Sequence, residues 1–184
     1  MNTVTVTITT EEKKHAARIG DLRTAENLGR SNIADYDPNR FNLTAQQANR
    51  VAVLGEIAVG KFLGYKPLEV GPEVWAAFVE SKDYGKYLGK EDWPGVEVRR
   101  ANTTASPLPI REKDRGRGIA IIQPYVHYTQ AVRLGPIRVH EDVELLGWAD
   151  VDVDWHEGWR PNWAKDKNTR VCDRRSMDTY GVLV

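Results

Sequence analysis

The sequence predicts a single α/β domain, with a central mixed β-sheet flanked by α-helices. Three observations lead there. Two stretches with helical apolar spacing occupy the first part of the chain, and four short β-type segments follow between Gly, Pro and Ser. At 184 residues the chain is long enough to bury roughly 70% of its unfolded surface in one core. No internal repeat or low-complexity linker divides it. Helices first and strands later fit an α+β or an α/β sandwich, and the α/β class is expected.

The elements follow in chain order. In "TVTVTITT", Val4, Val6 and Ile8 alternate with threonines, the period-two pattern of a strand with one buried face. After a Thr-Thr-Glu-Glu start, Ala16, Ile19, Leu22, Ala25 and Leu28 recur at helical spacing from Glu11 to about Gly29, and the polar "RSNIADYDPNRFN" reads as a loop. A second helix is expected from Thr44, an N-cap, through "AQQANRVAVLGEIAVGKFLG", stopping at Gly64 with Pro67 beyond it. "YKPLEVGPEVWAAFVE" has room for a short helix. "GVEVRRA", "PLPIRE", "GIAIIQPYV" and "VELLGWADV" are the strand candidates.

The 26 basic residues balance the 26 acidic ones, so whole-chain charge selects neither nucleic acid nor membrane as partner, and any electrostatic argument must be local. Cys172 is the single cysteine, and His15, His127, His140 and His156 are scattered without zinc-ligand spacing; both facts fit a reducing compartment. The N-terminus has no apolar targeting segment, and no run approaches the roughly 20 apolar residues of a membrane span. A cytoplasmic location with no membrane partner is expected.

Two places carry chemistry. On the second helix Glu56 shares a face with Ala52, Val59 and Leu63, so it points toward the core, where a carboxylate needs a cation, a donor or a metal. A glutamate at the edge of the stripe, capped by an Arg or Lys, fits the same spacing. In "DWPGVEVRR", alternation puts Val96 and Val98 on one side of a strand and Glu97 and Arg99 on the other. Asp92 stands just before the Pro94-Gly95 turn, within reach of the same strand. Two carboxylates beside a cation suit Mg²⁺, which takes oxygen ligands and keeps several waters.

The combination of "GEIAVGKFLG", "DWPGVEVR" and "ELLGWAD" resembles the PD-(D/E)XK nuclease superfamily, and more closely its small phage-type members, over roughly residues 45 to 155. The resemblance implies a restriction-endonuclease-like core, with the N-terminal strand and helix and the Trp-rich C-terminal segment packed on it as one domain over residues 1–184. It implies that Glu56 is the helix-borne acid assisting a metal, that Asp92 and Glu97 are the Mg²⁺ ligands, with Mn²⁺ able to substitute, and that Arg99 stands where the motif carries lysine. A guanidinium keeps its proton and cannot act as a general base, although it can offset charge on a phosphate. The Asp92-to-Glu97 interval is also shorter than the family pattern.

Between Arg99 and Gly118, six basic residues (Arg99, Arg100, Arg111, Lys113, Arg115 and Arg117) face two acidic ones, Glu112 and Asp114. Arg100, Arg111, Lys113, Arg115 and Arg117 are expected to contact DNA phosphates from a hairpin, or to form a solvated hairpin tip. "ADVDVDWHE" would place Asp150, Asp152 and Asp154 on one face of a strand, as a second-choice metal site or a solvated strand end; the EF-hand template fails there, with Trp155 and Pro161 where glycine and glutamate belong. Trp148, Trp155, Trp159 and Trp163 serve either base stacking or the core, and "NTRVCDRRSMD" could extend a basic surface.

The expected function is Mg²⁺-dependent hydrolysis of phosphodiester bonds in DNA, within the host cytoplasm if the chain is phage-encoded. The alternative is a catalytically inactive nuclease-fold protein that binds nucleic acid or a partner protein. An interaction or structural protein of a phage particle is a third reading.

Overall fold

The computed structural model describes residues 2–28, 42–68, 90–161 and 168–182. It is a mixed α/β structure whose main sheet has four strands, β1 (Val4–Thr7), β2 (Val96–Val98), β4 (Ala120–Gln130) and β5 (Ile137–Asp150), in the order β1-β5-β4-β2. β1 and β4 each run antiparallel to β5, and β2 runs parallel to β4 with Val96 opposite Ala120, which makes the sheet mixed. A second, two-stranded sheet pairs β3 (Leu108–Arg111) with β6 (Thr169–Cys172).

Helices α1 (Thr10–Leu28) and α2 (Ala45–Phe62) lie on one face of the main sheet. Each begins with a reciprocal cap that satisfies otherwise orphaned backbone donors. Thr9 and Glu12 exchange hydrogen bonds at the start of α1, and Thr44 and Gln47 do so at the start of α2. The predicted N-cap is therefore the observed one, and α2 ends two residues before Gly64.

Successive residues of β4 feed opposite layers, as a pleated strand requires. Ile122 joins Ile19, Val51, Ile57 and Trp93 under the helices, while Ile121 joins Leu108, Ile110, Trp155 and Cys172 under the small sheet. Among the described residues the long helices α1 and α2 cover one face, and β3, β6 and the short helix α3 (Val151–Glu157) cover the other.

Other expectations change. "VDVDWHE" is helix α3 and not a strand, because Asp150 is its N-cap, accepting from the amides of Asp152 and Val153. The basic segment is not a hairpin: β2 pairs with β4, β3 pairs with β6, and a 3-10 turn at Glu112–Asp114 leads back toward β4. "NTRVCDRRSMD", read as a basic stretch, contains β6. Strand β4 outruns its predicted end at Val126 and reaches Gln130, and its Pro124 is tolerated because it falls at a register shift where the ladder is already interrupted. The "RSNIADYDPNRFN" loop, apart from Asn42, the short helix expected after Tyr65, beyond Leu68, and Trp163 lie outside the described residues. Among the described residues, no helix is long and apolar enough to cross a membrane.

Candidate functional site at the free edge of β2

β2 ends the order of the described strands, so among the described residues one side of it has no neighbouring strand in the sheet. On its paired side Arg99 donates its amide to the Ile122 carbonyl at 3.1 Å, and Ala120 donates to the Gly95 carbonyl at 2.9 Å. On the free side the Val98 amide donates to Asp92 Oδ2 at 2.8 Å. The Asp92 carboxylate therefore closes the strand edge, a position that would otherwise expose an unpaired donor.

The turn carrying Asp92 is fixed by Trp93. Its indole is 1% exposed and donates Nε1–H to the carbonyl of Glu56 at 2.8 Å. It fits because Gly60 has no side chain: a Cβ there would lie 2.1 Å from the Trp93 ring. The Pro94-Gly95 turn is closed by paired backbone bonds between Trp93 and Val96. Helix α2 and the start of β2 are thus joined at the carboxylates in question.

Val96 faces the helical layer, and Glu97 and Arg99 face the β3–β6 layer, as alternation predicts. Arg99 Nη2 lies 3.7 Å from Glu97 Oε1 and 2.5 Å from Asp114 Oδ2, while Nη1 donates to the Pro109 carbonyl at 3.1 Å. Across the edge, on the helical side, Glu56 is 6% exposed and accepts two bonds from Arg23 at 2.6 and 2.7 Å. The edge of β2 is therefore bordered by four carboxylates (Glu56, Asp92, Glu97 and Asp114) and two guanidiniums (Arg23 and Arg99).

The electrostatics reflect that imbalance. Burial, followed by the negative charges of Glu56 and Glu97, raises the Asp92 carboxyl well above the usual carboxylate range, against the pull of Arg23 and the Val98 amide. Burial also raises Glu97; Arg99 opposes this and Asp114 adds to it, with Lys113 and Arg117 opposing more weakly. Arg99 is lowered by burial, an effect its two carboxylate neighbours offset in part.

Asp92 and Glu97 are the pair whose carboxylate charge a divalent cation would offset. Each is disfavoured as an anion where it stands, and Asp114 keeps a buried Oδ1 with no hydrogen-bond partner among the described residues. Mg²⁺ is commonly held by one or two carboxylates and several waters, so two suffice. Glu56 is bound to Arg23, and among the described residues no three His, Cys, Asp or Glu side chains gather into a metal-binding group.

The second-choice site dissolves. Asp150 caps α3, Asp152 accepts from the Gly116 amide at 2.7 Å, and Asp154 binds Arg175 and the Asp150 amide. Of the basic residues, Arg117 pairs with Glu91 and Arg100 with Asn102, while Arg111, Lys113 and Arg115 are exposed. Trp148 and Trp155 are core residues at 2% and 7% exposure, whereas Trp159 is 48% exposed. Cys172 is buried, and burial pushes its thiol up to about 12.

Sequence reasoning missed Arg23 and Asp114. Arg23 stands four residues after Ile19 and seven after Ala16, both fully buried, so its place on that stripe was a usable signal. Asp114, inside "REKDRGRG", carries none. Comparison of the chain with protein-family models, curated proteins and solved structures finds no match.

Proposed function

We propose that this chain is a metal-dependent nuclease of the PD-(D/E)XK type that hydrolyses phosphodiester bonds in DNA, with Asp92 and Glu97 as the residues that would hold Mg²⁺ or Mn²⁺. The observation that carries this reading is the placement of Asp92, Glu97 and Arg99 around one free strand edge, with Glu56 beside it on α2. A restriction-endonuclease-like core is part of the same proposal, supported by the mixed sheet and the helix that brings Glu56 to β2. So is a cytoplasmic setting, that of a host if the chain is phage-encoded.

A bound divalent cation supplies Lewis-acid polarisation of the phosphodiester and a bound water of lowered pKa. The chain's own groups do the rest. Arg99 keeps its proton and offsets negative charge on the phosphate, held in place by Asp114 and the Pro109 carbonyl. Arg23 engages both oxygens of Glu56 and so positions that carboxylate without using Asp92 or Glu97. The Val98 amide fixes one Asp92 oxygen, which orients the carboxylate.

A second reading, a noncatalytic protein of this fold that binds nucleic acid or a protein partner, is favoured by two pairs. Asp114 already engages Arg99, and Arg23 already engages Glu56. Cleavage of duplex, single-stranded and branched DNA, with Mg²⁺ or Mn²⁺ and with chelator, separates the readings. Metal-stimulated cutting that Asp92→Asn abolishes is expected. No cutting by the wild type under any of these conditions, with none restored by Arg99→Lys, would replace the nuclease with the binding protein.

A further inference from the structure

We infer that the cleft where β3 meets β6 binds a backbone phosphate of a polynucleotide strand, on the flank of the Asp92–Glu97 site; as a subsite it rests on the nuclease reading. The cleft encloses about 430 Å³ and is lined by Arg111, Glu112, Lys113, Asn168 and Thr169. Its frame is set by backbone: Arg111 lies opposite Thr169 in the ladder, and the Glu112 amide donates to the Asn168 carbonyl at 2.8 Å.

Arg111 and Lys113 are exposed, and neither forms an ion pair among the described residues. Their charges therefore remain available to an anion, unlike those of Arg99 and Arg117, which Asp114 and Glu91 engage. A guanidinium and an ammonium border the cleft beside one carboxylate, that of Glu112, so the lining carries a net positive charge suited to an oxyanion.

Position argues for a polynucleotide. The Arg111 amide donates to Asp114 Oδ2 at 2.9 Å, the same oxygen that holds Arg99, so the cleft is tied to the site through one carboxylate. The charge of Lys113 reaches Glu97, and that of Arg111 reaches Arg99. Arg170 stands opposite Ile110 in the ladder, on the other face of the small sheet from Arg111, and its guanidinium and that of Arg115 lie 5.0 and 5.2 Å from the Trp155 ring.

The test is binding of a fluorescent single-stranded oligonucleotide in chelator across a salt series, for wild type, Arg111→Ala, Lys113→Ala, the double variant and Arg138→Ala on the exposed β5 face. The double variant is expected to weaken binding alike for unrelated sequences and to flatten the log–log salt slope by about 1.4, roughly 0.7 per lost phosphate contact, with Arg138→Ala unchanged. Replacement by glutamine at both positions is expected to do the same with the fold intact by circular dichroism. An unchanged slope overturns the inference, as does a wild type that binds no oligonucleotide. Inorganic phosphate that shifts the Glu112 and Lys113 amide resonances, where oligonucleotide does not, assigns the cleft to a free anion and overturns it too. A wild type that binds with the expected slope but cuts no DNA supports the cleft and sinks the nuclease reading alone.

Discussion

Arg99 donates Nη2–H to Asp114 Oδ2 at 2.5 Å, joining the edge strand β2 to a carboxylate 15 residues onward in the 3-10 turn. Asp114 has no exposed surface, and the Arg99 side chain is 9% exposed. Breaking such a pair leaves a buried charge uncompensated, which costs about 3–5 kcal/mol, more than the pair itself contributes. Asp114→Ala is expected to lower urea-unfolding stability by that amount, and Arg99→Met combined with Asp114→Leu by much less. Equal losses would mean that the charge is not buried as described.

The roles of Arg99 divide by chemistry. Arg99→Ala is expected to reduce metal-dependent cleavage about 10²–10³-fold, the usual cost of deleting one electrostatic stabiliser. Arg99→Lys keeps a cation beside Glu97 and Asp114 and is expected to retain or raise cleavage, since lysine is what the resembled motif carries. The measurement is single-turnover cleavage under saturating metal.

The raised Asp92 and Glu97 carboxyls set a pH dependence with a definite sign. Carboxyls that ionise later in the folded chain than in the unfolded chain let the folded state hold extra protons. Their contribution is full below the ordinary carboxylate range and is lost as pH rises through the raised folded values. Without divalent metal, thermal stability is expected to fall over that interval, and Asp92→Asn to remove much of the fall. Mg²⁺ is expected to restore stability on the alkaline side of it and to do little on the acid side.

Gly60 joins helix packing to the site. Gly60→Ala drives a methyl into the Trp93 ring, where the built Cβ lies 2.1 Å away. Overpacking of this kind costs about 1–3 kcal/mol. The displaced indole is expected to shift the Asp92 turn as well, lowering both melting temperature and cleavage. Gly64→Ala, with nothing within 4 Å of its Cβ but a backbone φ of +83°, is the comparison, expected to lower stability without affecting cleavage.

Legibility from sequence followed the range of the interactions. The Thr44 cap, the apolar stripe of α2 and the opposite facing of Val96 and Glu97 are local, set by periods of 3.6 and 2, and were readable. The pairing of β3 with β6 links residues about 60 positions apart through two four-residue strands, too short to carry a pattern. Asp114 was invisible for the same reason: among the charges of "REKDRGRG", only the fold selects the one that is buried. The three aspartates from Asp150 to Asp154 misled because alternation suggests a strand, whereas an aspartate N-cap starts a helix.

The central claim is that Asp92 and Glu97 hold one divalent cation at the β2 edge. A crystal soaked in Mn²⁺ and recorded at the manganese absorption edge tests it most directly. The account predicts one anomalous peak contacting a carboxylate oxygen of each residue, absent in Asp92→Asn. Manganese bound elsewhere, or no peak between these two residues in the wild type, would contradict it.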